Sequence, residues 1–481
     1  MGQELRFLLN DTEIRLTEAG ARDTLLDFLR LNRRMTGTKE GCAEGDCGAC
    51  TVLVGRIHNG RLHYEPINAC IRFLASCHGC HVVTVEHLRG PVGGLHPVQA
   101  AMVEHHGSQC GFCTPGFVMA LYGLWMQNPR PDMGAIETAL QGNLCRCTGY
   151  EPIVKAAFAA SEAGGQHMDA LTVERDRVTA ALQAIPPGRV DIARKDDRAI
   201  LPADAADLAQ VLAEHPNATI VAGATDVGLW VTKFLRDISP AVFIGHLADL
   251  KEIRIIPGHI TIGAGVTYSE FEPFIVQHFP EALDYWLRIG GWQVRNAGTI
   301  GGNVANGSPI GETPPLLIAL GATMRLRSVA GTRDLPVEDY FIAYGKQDRR
   351  PGEFVESITV PLKGAARIAA YKVSKRHHAD ITASAAAFRV ETDGATITDA
   401  RVAFGGMAAT PKRATLAEAA LRGRPFAAET FEAAARAVAG DFQPLSDWRA
   451  SAGYRQQLAA NFFRRFWLEQ SGAEHRLRRV E

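Results

Sequence analysis

All ten cysteines of this 481-residue chain lie between Cys42 and Cys147, so the residues with the most obvious chemistry are concentrated in one region. Thiols serve proteins as metal ligands, as nucleophiles and as partners in disulfides. A disulfide framework is typical of small secreted folds, and the first ten residues lack the basic region and apolar core of a secretory leader. Metal ligation is therefore the favoured interpretation.

The first set of cysteines has the spacing C-x4-C-x2-C at Cys42, Cys47 and Cys50, with Cys70 following after nineteen residues. This spacing is close to that of plant-type [2Fe-2S] proteins. The residues between the three close cysteines are mostly small, which lets the backbone wrap a cluster and direct amides at its sulfurs. Zinc held by four thiolates is the alternative, although its ligands usually come as two close pairs.

A second set pairs Cys110 with Cys113 and Cys145 with Cys147, each pair at the end of a predicted helix. The segment TPG from Thr114 is suited to open a helix directly after Cys113. Amides at a helix N-terminus favour an anionic group such as an iron–sulfur cluster. The spacing alone fits zinc equally well.

The two remaining cysteines, Cys77 and Cys80, form the pattern CHGCH with His81. This pattern is the one that attaches c-type haem. Such attachment requires export, and the motif runs directly into a predicted strand from His81 to Glu86. We therefore predict part-buried, unmodified thiols at both positions.

The elements that must position these residues predict a multidomain α+β fold. Hairpin, helix and strand patterns over 1–90 indicate a β-grasp outline, and residues 91–165 have helical periodicity throughout. A mixed Gly, Pro and charged stretch at 166–190 is interpreted as a linker. Alternating strand and helix signals follow over 191–365, and strands and then amphipathic helices over 366–481. The helices predicted in the second domain are Pro97–His106, Thr114–Met126, Met133–Gln141 and Ile153–Glu162.

The charge balance predicts neither a nucleic-acid partner nor a membrane partner. Lys and Arg number 51 against 52 Asp and Glu, for a formal net charge of -1, and no long run has one sign. No stretch approaches the roughly 18 apolar residues of a membrane-spanning helix. We expect a cytoplasmic protein.

Three segments together resemble the molybdenum hydroxylase family: KEGCAEGDCGACTV from Lys39, GSQCGFCTPGF from Gly107 and NLCRCTGYEPI from Asn143. The resemblance continues with TIVAGATDVGLWVTK from Thr219 and RNAGTIGGNVANGSPIGETPP from Arg295, and covers nearly the whole chain. It implies a plant-type ferredoxin domain, a four-helix [2Fe-2S] domain, an FAD-binding domain and a small C-terminal flavoprotein domain. The implied cluster ligands are Cys42, Cys47, Cys50, Cys70, Cys110, Cys113, Cys145 and Cys147.

Within that family the chain is most similar to the iron–sulfur and FAD subunit of bacterial xanthine dehydrogenases. The resemblance implies two [2Fe-2S] clusters and FAD here, with molybdopterin and the hydroxylation site in a large partner subunit, so no catalytic residue is assigned to this chain. Electrons would pass from the partner through the helical-domain cluster, the plant-type cluster and FAD to NAD, as hypoxanthine and xanthine become urate. The implied assembly is two small and two large subunits.

The resemblance also assigns contacts to FAD, and two of the assigned positions depart from the family pattern. Glu312 stands where the family often has Asp, and Ala224 where it often has Gly or Asn. Glycines in these loops let backbone amides approach a pyrophosphate. No strand-linked G-x-G-x-x-G is present, so NAD is expected over the flavin and not in a Rossmann domain. The assigned residues are Ile220, Val221, Ala222, Gly223, Ala224, Thr225, Asp226, Val227, Ile289, Thr299, Ile300, Gly301, Gly302, Asn303, Glu312, Val355 and Lys372.

Three alternatives stay open from sequence. The first is the same role in an aldehyde, nicotinate or carbon monoxide dehydrogenase. The second is a freestanding iron–sulfur flavoprotein reductase without a molybdenum partner. The third is a zinc-stabilised scaffold, which predicts a colourless protein.

Overall fold

A computed structural model describes residues 4–90 and 93–472. These residues form two compact units. Both units contain helices and sheets, so the predicted multidomain α+β class is confirmed. The predicted FAD domain at 191–365 is divided between the units. Unit 1 comprises Met1–Asp249, Thr267–Ser269 and Gly290–Thr299, and unit 2 comprises Leu250–Val266, Glu270–Ile289 and Ile300–Glu481.

A five-stranded sheet opens unit 1. In spatial order its strands are Thr12–Leu16, Leu5–Leu9, His81–Val83, Thr51–His58 and Arg61–Asn68. A short helix at Leu25–Asp27 is capped by the Thr24 hydroxyl, which accepts from the Asp27 amide, and continues as a π-helical turn. The edge strand Arg61–Asn68 was not predicted; it carries Pro66, which cannot donate to a ladder and is tolerated at an edge.

Four helices form the next part of unit 1, as the helical periodicity predicts. They are Pro97–Glu104, Thr114–Gln127, Met133–Leu140 and Glu151–Ala163. Thr114–Gln127 is buried along most of its length, and its Trp125 is among the largest fully buried side chains. This central helix begins directly after Cys113, so its packing fixes where that cysteine lies.

The segment predicted as a linker is helical and docked, which corrects the interpretation from composition. It forms helices Ala170–Val173 and Arg175–Gln183. Asp169, 1% exposed, accepts from the Tyr122 hydroxyl at 2.7 Å and lies 3.2 Å from His96 Nε2. These contacts join residues far apart in sequence, so no local apolar stripe announces them.

A small sheet and three helices complete unit 1 on the side of the predicted flavin segment. The strands, in spatial order, are Val190–Arg194, Asp197–Leu201, Ala241–Phe243 and Thr219–Val221, with parallel pairing between the last three. Helix Ala205–Glu214 precedes Thr219–Val221, and helix Val227–Thr232 follows it. Helix Trp292–Ala297 returns to this unit from a later part of the chain.

Unit 2 holds a five-stranded and a four-stranded sheet. The first, in spatial order, comprises Ile253–Ile256, His259–Gly263, Phe354–Pro361, Thr323–Ser328 and Gly331–Pro336. Helices Tyr268–His278, Leu283–Leu287, Ile300–Asn306 and Thr313–Leu320, and the strand pair Phe341–Ala343 with Lys346–Gln347, accompany it. The second comprises Arg367–Val373, Ser384–Asp393, Thr396–Gly405 and Lys412–Arg413, with helices Thr415–Leu421, Ala428–Ala437 and Ala452–Gln470. Within the described residues no helix has the length and apolarity to cross a membrane.

The docked linker gives the first testable prediction. Asp169→Ala leaves the buried His96 ring and Tyr122 hydroxyl without their acceptor, so we expect a loss of about 3 kcal/mol in the free energy of unfolding. Urea unfolding followed by tryptophan fluorescence measures it. The control is Glu151→Ala, which removes an exposed pair with Lys155 and should change nothing measurable. Equal behaviour of the two variants would show that the Asp169 contacts do not hold the linker.

Candidate functional site

The four cysteines of the first set converge in unit 1. The Cys42 thiol is hydrogen-bonded to those of Cys47 and Cys70, and the Cys70 thiol also to that of Cys50. These bonds lower the pKa of Cys42 and raise the pKa of Cys47, because one thiol accepts and the other donates. The sulfurs therefore form one shared array, as residues meant to hold a common group would.

The loop that carries three of these cysteines is folded around their sulfurs. The amides of Glu44 and Cys47 both donate to Cys42 Sγ at 3.4 Å. Ala43 and Gly45 have positive φ angles of 55° and 79°, which turn the backbone inward. Amides aimed at sulfur stabilise an anionic cluster. The loop thus fits the predicted iron–sulfur group.

The spread of the sulfurs distinguishes this group from a single zinc ion. Among the described residues, the only group of three or more potential ligands with all ligand atoms within 4.8 Å of one another is Asp11, His87 and Glu174. A tetrahedral ion with bonds of about 2.3 Å would place four sulfurs within about 4 Å of one another. The wider array favours a two-iron cluster.

The second set converges around the start of helix Thr114–Gln127. All four are free thiols, hydrogen-bonded in the pairs Cys113–Cys145 and Cys110–Cys147, and the Thr148 hydroxyl donates to Cys145 Sγ at 3.2 Å. Burial raises the pKa of Cys113 to about 12. Cys110 and Cys147, in contrast, are exposed. This site therefore lies at the surface of unit 1.

Tyr150 shapes the second site. Its φ is 71°, a conformation that is rare for a bulky residue. Its hydroxyl accepts from the Cys145 amide at 3.0 Å. Strain of this kind is kept where the surrounding structure needs the geometry. Tyr150 stands within the NLCRCTGYEPI segment, but the motif alone did not reveal its role.

The residues of the CHGCH pattern, Cys77 to His81, have a structural role. Cys77 and Cys80 are both buried, and burial raises the pKa of Cys77 to about 11. The His81 ring is fully buried, with Nε2 2.9 Å from the Asn10 carbonyl oxygen and Nδ1 2.7 Å from the Tyr64 hydroxyl. Both ring nitrogens are occupied and neither thiol is accessible, so these residues belong to the core.

The two cysteine sites abut through glycines. A Cβ at Gly48 would lie 2.1 Å from the carbonyl oxygen of Gly142, and one at Gly116 would lie 2.1 Å from the carbonyl oxygen of Gly48. The Leu144 amide donates to the Cys47 carbonyl at 3.0 Å. Only residues without a side chain allow this approach.

The first site also touches the helix that leaves the predicted flavin segment. A Cβ at Gly228 would lie 2.7 Å from Ile71 Cβ, directly beside Cys70. The Thr232 hydroxyl donates to the Ala43 carbonyl at 2.7 Å, and Lys233 Nζ donates to the Cys42 carbonyl. The loop that carries Cys42, Cys47 and Cys50, the plant-type loop, therefore contacts both the second cysteine site and helix Val227–Thr232.

The flavin residues predicted in unit 1 lie in a strand, turn and helix. Ala224 has a φ of 62°, which explains why Gly or Asn would suit this position; the strain costs about 1 kcal/mol. A Cβ at Gly223 would lie 1.8 Å from the Ala297 carbonyl oxygen. The immediate reason for this glycine is thus backbone packing, and its contact with a pyrophosphate stays a prediction.

Close backbone packing also occurs at the flavin residues predicted in unit 2. The amides of Ile300 and Gly301 donate to the carbonyls of Val266 and Ala264, at 3.0 and 3.1 Å. A Cβ at Gly301 would lie 2.4 Å from Ala264 Cβ. Both amides already donate to the protein's own backbone. The predicted phosphate contact at this loop would therefore have to use other atoms of Thr299–Asn303.

Glu312 and Lys372 are brought together in unit 2. Lys372 Nζ lies 2.5 Å from Glu312 Oε1 and donates to the Arg288 carbonyl at 2.7 Å. The Thr382 hydroxyl donates to the same Glu312 oxygen at 2.6 Å. The longer acid, where the family often has Asp, thus reaches a buried lysine. Ile289 and Val355, also assigned to the flavin, are buried apolar residues.

Sequence reasoning missed several polar residues around the clusters. Asn68 Nδ2 lies 3.9 Å from Cys50 Sγ, and Gln293, Arg295 and Asn296 are buried in a six-residue helix. Buried polar side chains in so short a helix carry no periodic signal. Arg295 and Asn296 stand at the start of a quoted family segment, the one hint that sequence offered.

Family models match most of the chain. They are a [2Fe-2S] binding domain at residues 84–158, an FAD binding domain in molybdopterin dehydrogenase at 195–363, and a CO dehydrogenase flavoprotein C-terminal domain at 369–470. Together with the thiol arrays, these matches define the chain as an iron–sulfur flavoprotein.

The chain is similar in sequence to known proteins along nearly its whole length. A xanthine dehydrogenase from Emericella nidulans is 32% identical over 96% of this chain and 38% of the relative, and aldehyde oxidase 1 from Bos taurus is 28% identical over 98% and 39%. Quinoline 2-oxidoreductase from Pseudomonas putida 86 matches with a TM-score of 0.53 and 28% identity, over 57% of this chain and 97% of that one. The chain thus spans about two fifths of the length of these curated relatives. It belongs to the molybdenum hydroxylase family.

Substitution of an exposed and of a buried cysteine should have opposite effects on bound iron and on stability. Cys147→Ala should remove the second cluster and about half of the bound iron without unfolding the chain, because this ligand is exposed. Cys77→Ala should keep all the iron and lose stability instead, because its thiol packs in the core. Iron analysis and thermal unfolding of the two purified variants measure both effects. Retention of all iron by Cys147→Ala would remove this cysteine from the ligand set.

Proposed function

We propose that this chain is the electron-transfer subunit of a xanthine dehydrogenase, passing electrons from a molybdopterin partner to NAD. The observation that carries the proposal is the position of the plant-type loop, which contacts both the second cysteine site and helix Val227–Thr232. When bound, the clusters carry single electrons and FAD links them to two-electron chemistry. The protein's part is to hold these groups at short, fixed separations.

The residues of the chain perform that part in separate ways. The eight cysteines would hold the two clusters, and the amides of Glu44 and Cys47 stabilise charge on the Cys42 sulfur. Gly48 and Gly228 let neighbouring segments approach without a side chain between them. We assign the flavin to the residues in and around Ile220–Val227 and Thr299–Asn303.

The surface at the second site supports a partner subunit there. Cys110 and Cys147 are exposed, and the neighbouring Phe112 is 48% exposed, with Leu144 and Tyr150 also exposed. Apolar side chains exposed beside exposed ligands are typical of an interaction surface. A large molybdopterin subunit that covers this face would shield the cluster and supply its electrons. Two copies of each subunit form the proposed assembly.

NAD would accept electrons beside the flavin. The chain has no strand-linked G-x-G-x-x-G, so the nucleotide needs a surface other than a Rossmann unit. The substrate at the other end is decided in the partner. Relatives include aldehyde oxidases and solved structures of carbon monoxide dehydrogenases, so an aldehyde or another small substrate is the second candidate.

The test is purification of the tagged chain from its own cells. We expect a large molybdenum-containing subunit to co-purify, with two [2Fe-2S] clusters and one FAD per chain, and xanthine to drive formation of NADH. Metal analysis, flavin release and absorbance at 340 nm measure these.

Each other outcome is decisive. Full cofactor content without xanthine-driven formation of NADH would indicate a substrate of another class, such as an aldehyde. Full cofactors without a partner would indicate a freestanding reductase. A colourless protein that contains zinc would overturn the proposal.

A further inference from the structure

Helix Trp292–Ala297 has an unusual composition for its place. Gln293 and Asn296 are each 1% exposed, and Arg295 is fully buried. Burying polar side chains costs free energy unless they are hydrogen-bonded. With three such residues in six, polar contacts are a main part of how this helix is held, beside the apolar packing of Trp292 and Ala297.

Gln293 closes a hydrogen-bonded ring between the two cysteine sites. Its Nε2 donates to Asn143 Oδ1 at 2.7 Å and to Thr51 Oγ1 at 3.2 Å. Asn143 Nδ2 and the Thr51 hydroxyl both donate onward to the Gly48 carbonyl, at 3.2 and 2.6 Å. Gly48 lies between two ligands of the first site, and Asn143 lies two residues before Cys145. One amide group thus connects both loops.

The position of this amide is closely constrained. A Cβ at Gly142 would lie 2.0 Å from Gln293 Oε1, and a Cβ at Gly291 would lie 2.5 Å from Gly142 Cα. The helix start and the 141–143 turn therefore meet without side chains. Gln293 Oε1 is buried without a hydrogen-bond partner, so the residue is held by its donor side alone.

The rest of the helix extends the connection. Arg295 donates to Gln141 Oε1 at 2.7 Å, and Asn296 Nδ2 donates to the Pro66 carbonyl at 2.9 Å. Directly after Asn296, the Ala297 carbonyl oxygen is the atom that a Cβ at Gly223 would meet at 1.8 Å. The helix thus touches both cluster loops and the predicted flavin segment, all within unit 1.

We propose that Gln293 is a positioning residue for electron transfer, holding the plant-type loop and the second cysteine loop at one fixed separation. This inference rests on the proposed function and adds a residue that does not bind any cofactor. The donor pair of Gln293 fixes Thr51 and Asn143, and through them the Gly48 carbonyl. Because the rate of single-electron transfer falls steeply with the separation of the redox groups, a change in this separation changes the rate.

Two substitutions test different parts of this role. Gln293→Met keeps the length and removes both donors, so the ring opens and the two loops lose the tie through Gln293, while the direct bond from Asn143 to the Gly48 carbonyl remains. Gln293→Glu keeps the shape, removes the donors and adds a negative charge beside the first site. A nearby negative charge disfavours the reduced, more negative cluster and lowers its reduction potential.

Gln127 provides a control far from the cysteine loops. Its Nε2 donates to the Tyr64 carbonyl on another element at 2.9 Å, although its side chain is exposed where that of Gln293 is buried. It ends the helix that begins after Cys113, about 20 Å along the helix axis from that cysteine. Gln127→Met and Gln127→Glu therefore repeat both chemical changes away from the cluster loops.

The measurements use the full chain loaded with iron, sulfide and FAD. EPR-monitored redox titration gives the potential of each cluster, and flash photoreduction of the flavin gives the rate of electron exchange with the clusters. We expect full iron and flavin in Gln293→Met with an exchange rate lower by about tenfold. We expect a lower potential of the plant-type cluster in Gln293→Glu, with the Gln127 variants close to wild type.

The outcomes separate the inference from the function on which it rests. Gln293 variants that match the Gln127 variants in potential and rate would overturn the positioning role alone. Loss of iron in both Gln293 variants, with iron retained in both Gln127 variants, would replace it by a role in folding the loops. A wild-type chain that takes up neither cluster would overturn the proposed function itself.

Discussion

The approach of three backbone segments around the Gly48 carbonyl is the constraint on which the arrangement of unit 1 depends. Gly116 comes against this oxygen from the central helix, and Gly142 comes against Gly48 from the second cysteine loop. Side chains at these positions would push the two cysteine sites apart. The same carbonyl accepts from Thr51 and Asn143, so the contact is both sterically required and hydrogen-bonded. Proteins keep such contacts when a separation between groups has to be fixed.

The two cysteine sites differ in exposure, and the difference suits their proposed places in a relay. The first site has two buried ligands, Cys50 and Cys70, within the core of the five-stranded sheet. The second keeps Cys110 and Cys147 at the surface. Burial and hydrogen bonding both tune cluster potentials. The first site is therefore partly buried in the core and the second lies at the surface, so a cluster held at each would have a different environment within one compact unit.

Polar networks, in addition to apolar packing, join the parts of unit 1 that lie far apart in sequence. Asp169 ties the linker to Tyr122 and His96, and Gln293 ties a late helix to loops more than 140 residues earlier. Hydrogen bonds are directional, so these ties specify position more narrowly than apolar contact does. The same character recurs in unit 2, where Lys372 and Glu312 form a buried pair. The family resemblance places the flavin near these residues, and the pair shows how the longer acid is accommodated.

The sequence by itself determined which eight cysteines are candidate ligands, the four helices after residue 96 and the resemblance to the family, because these depend on local spacing and periodicity. The sequence predicted part-buried thiols at Cys77 and Cys80, and tertiary structure decided that both cysteines and His81 lie in the core, since burial depends on the strands that surround them. It also decided that the linker is docked and that Gly223 and Gly301 serve backbone packing. The role of Gln293 had no local signal, because its partners, Thr51 and Asn143, are brought to it only by the folded chain. Contacts between distant residues leave no period in the sequence, and this is the physical reason for the division.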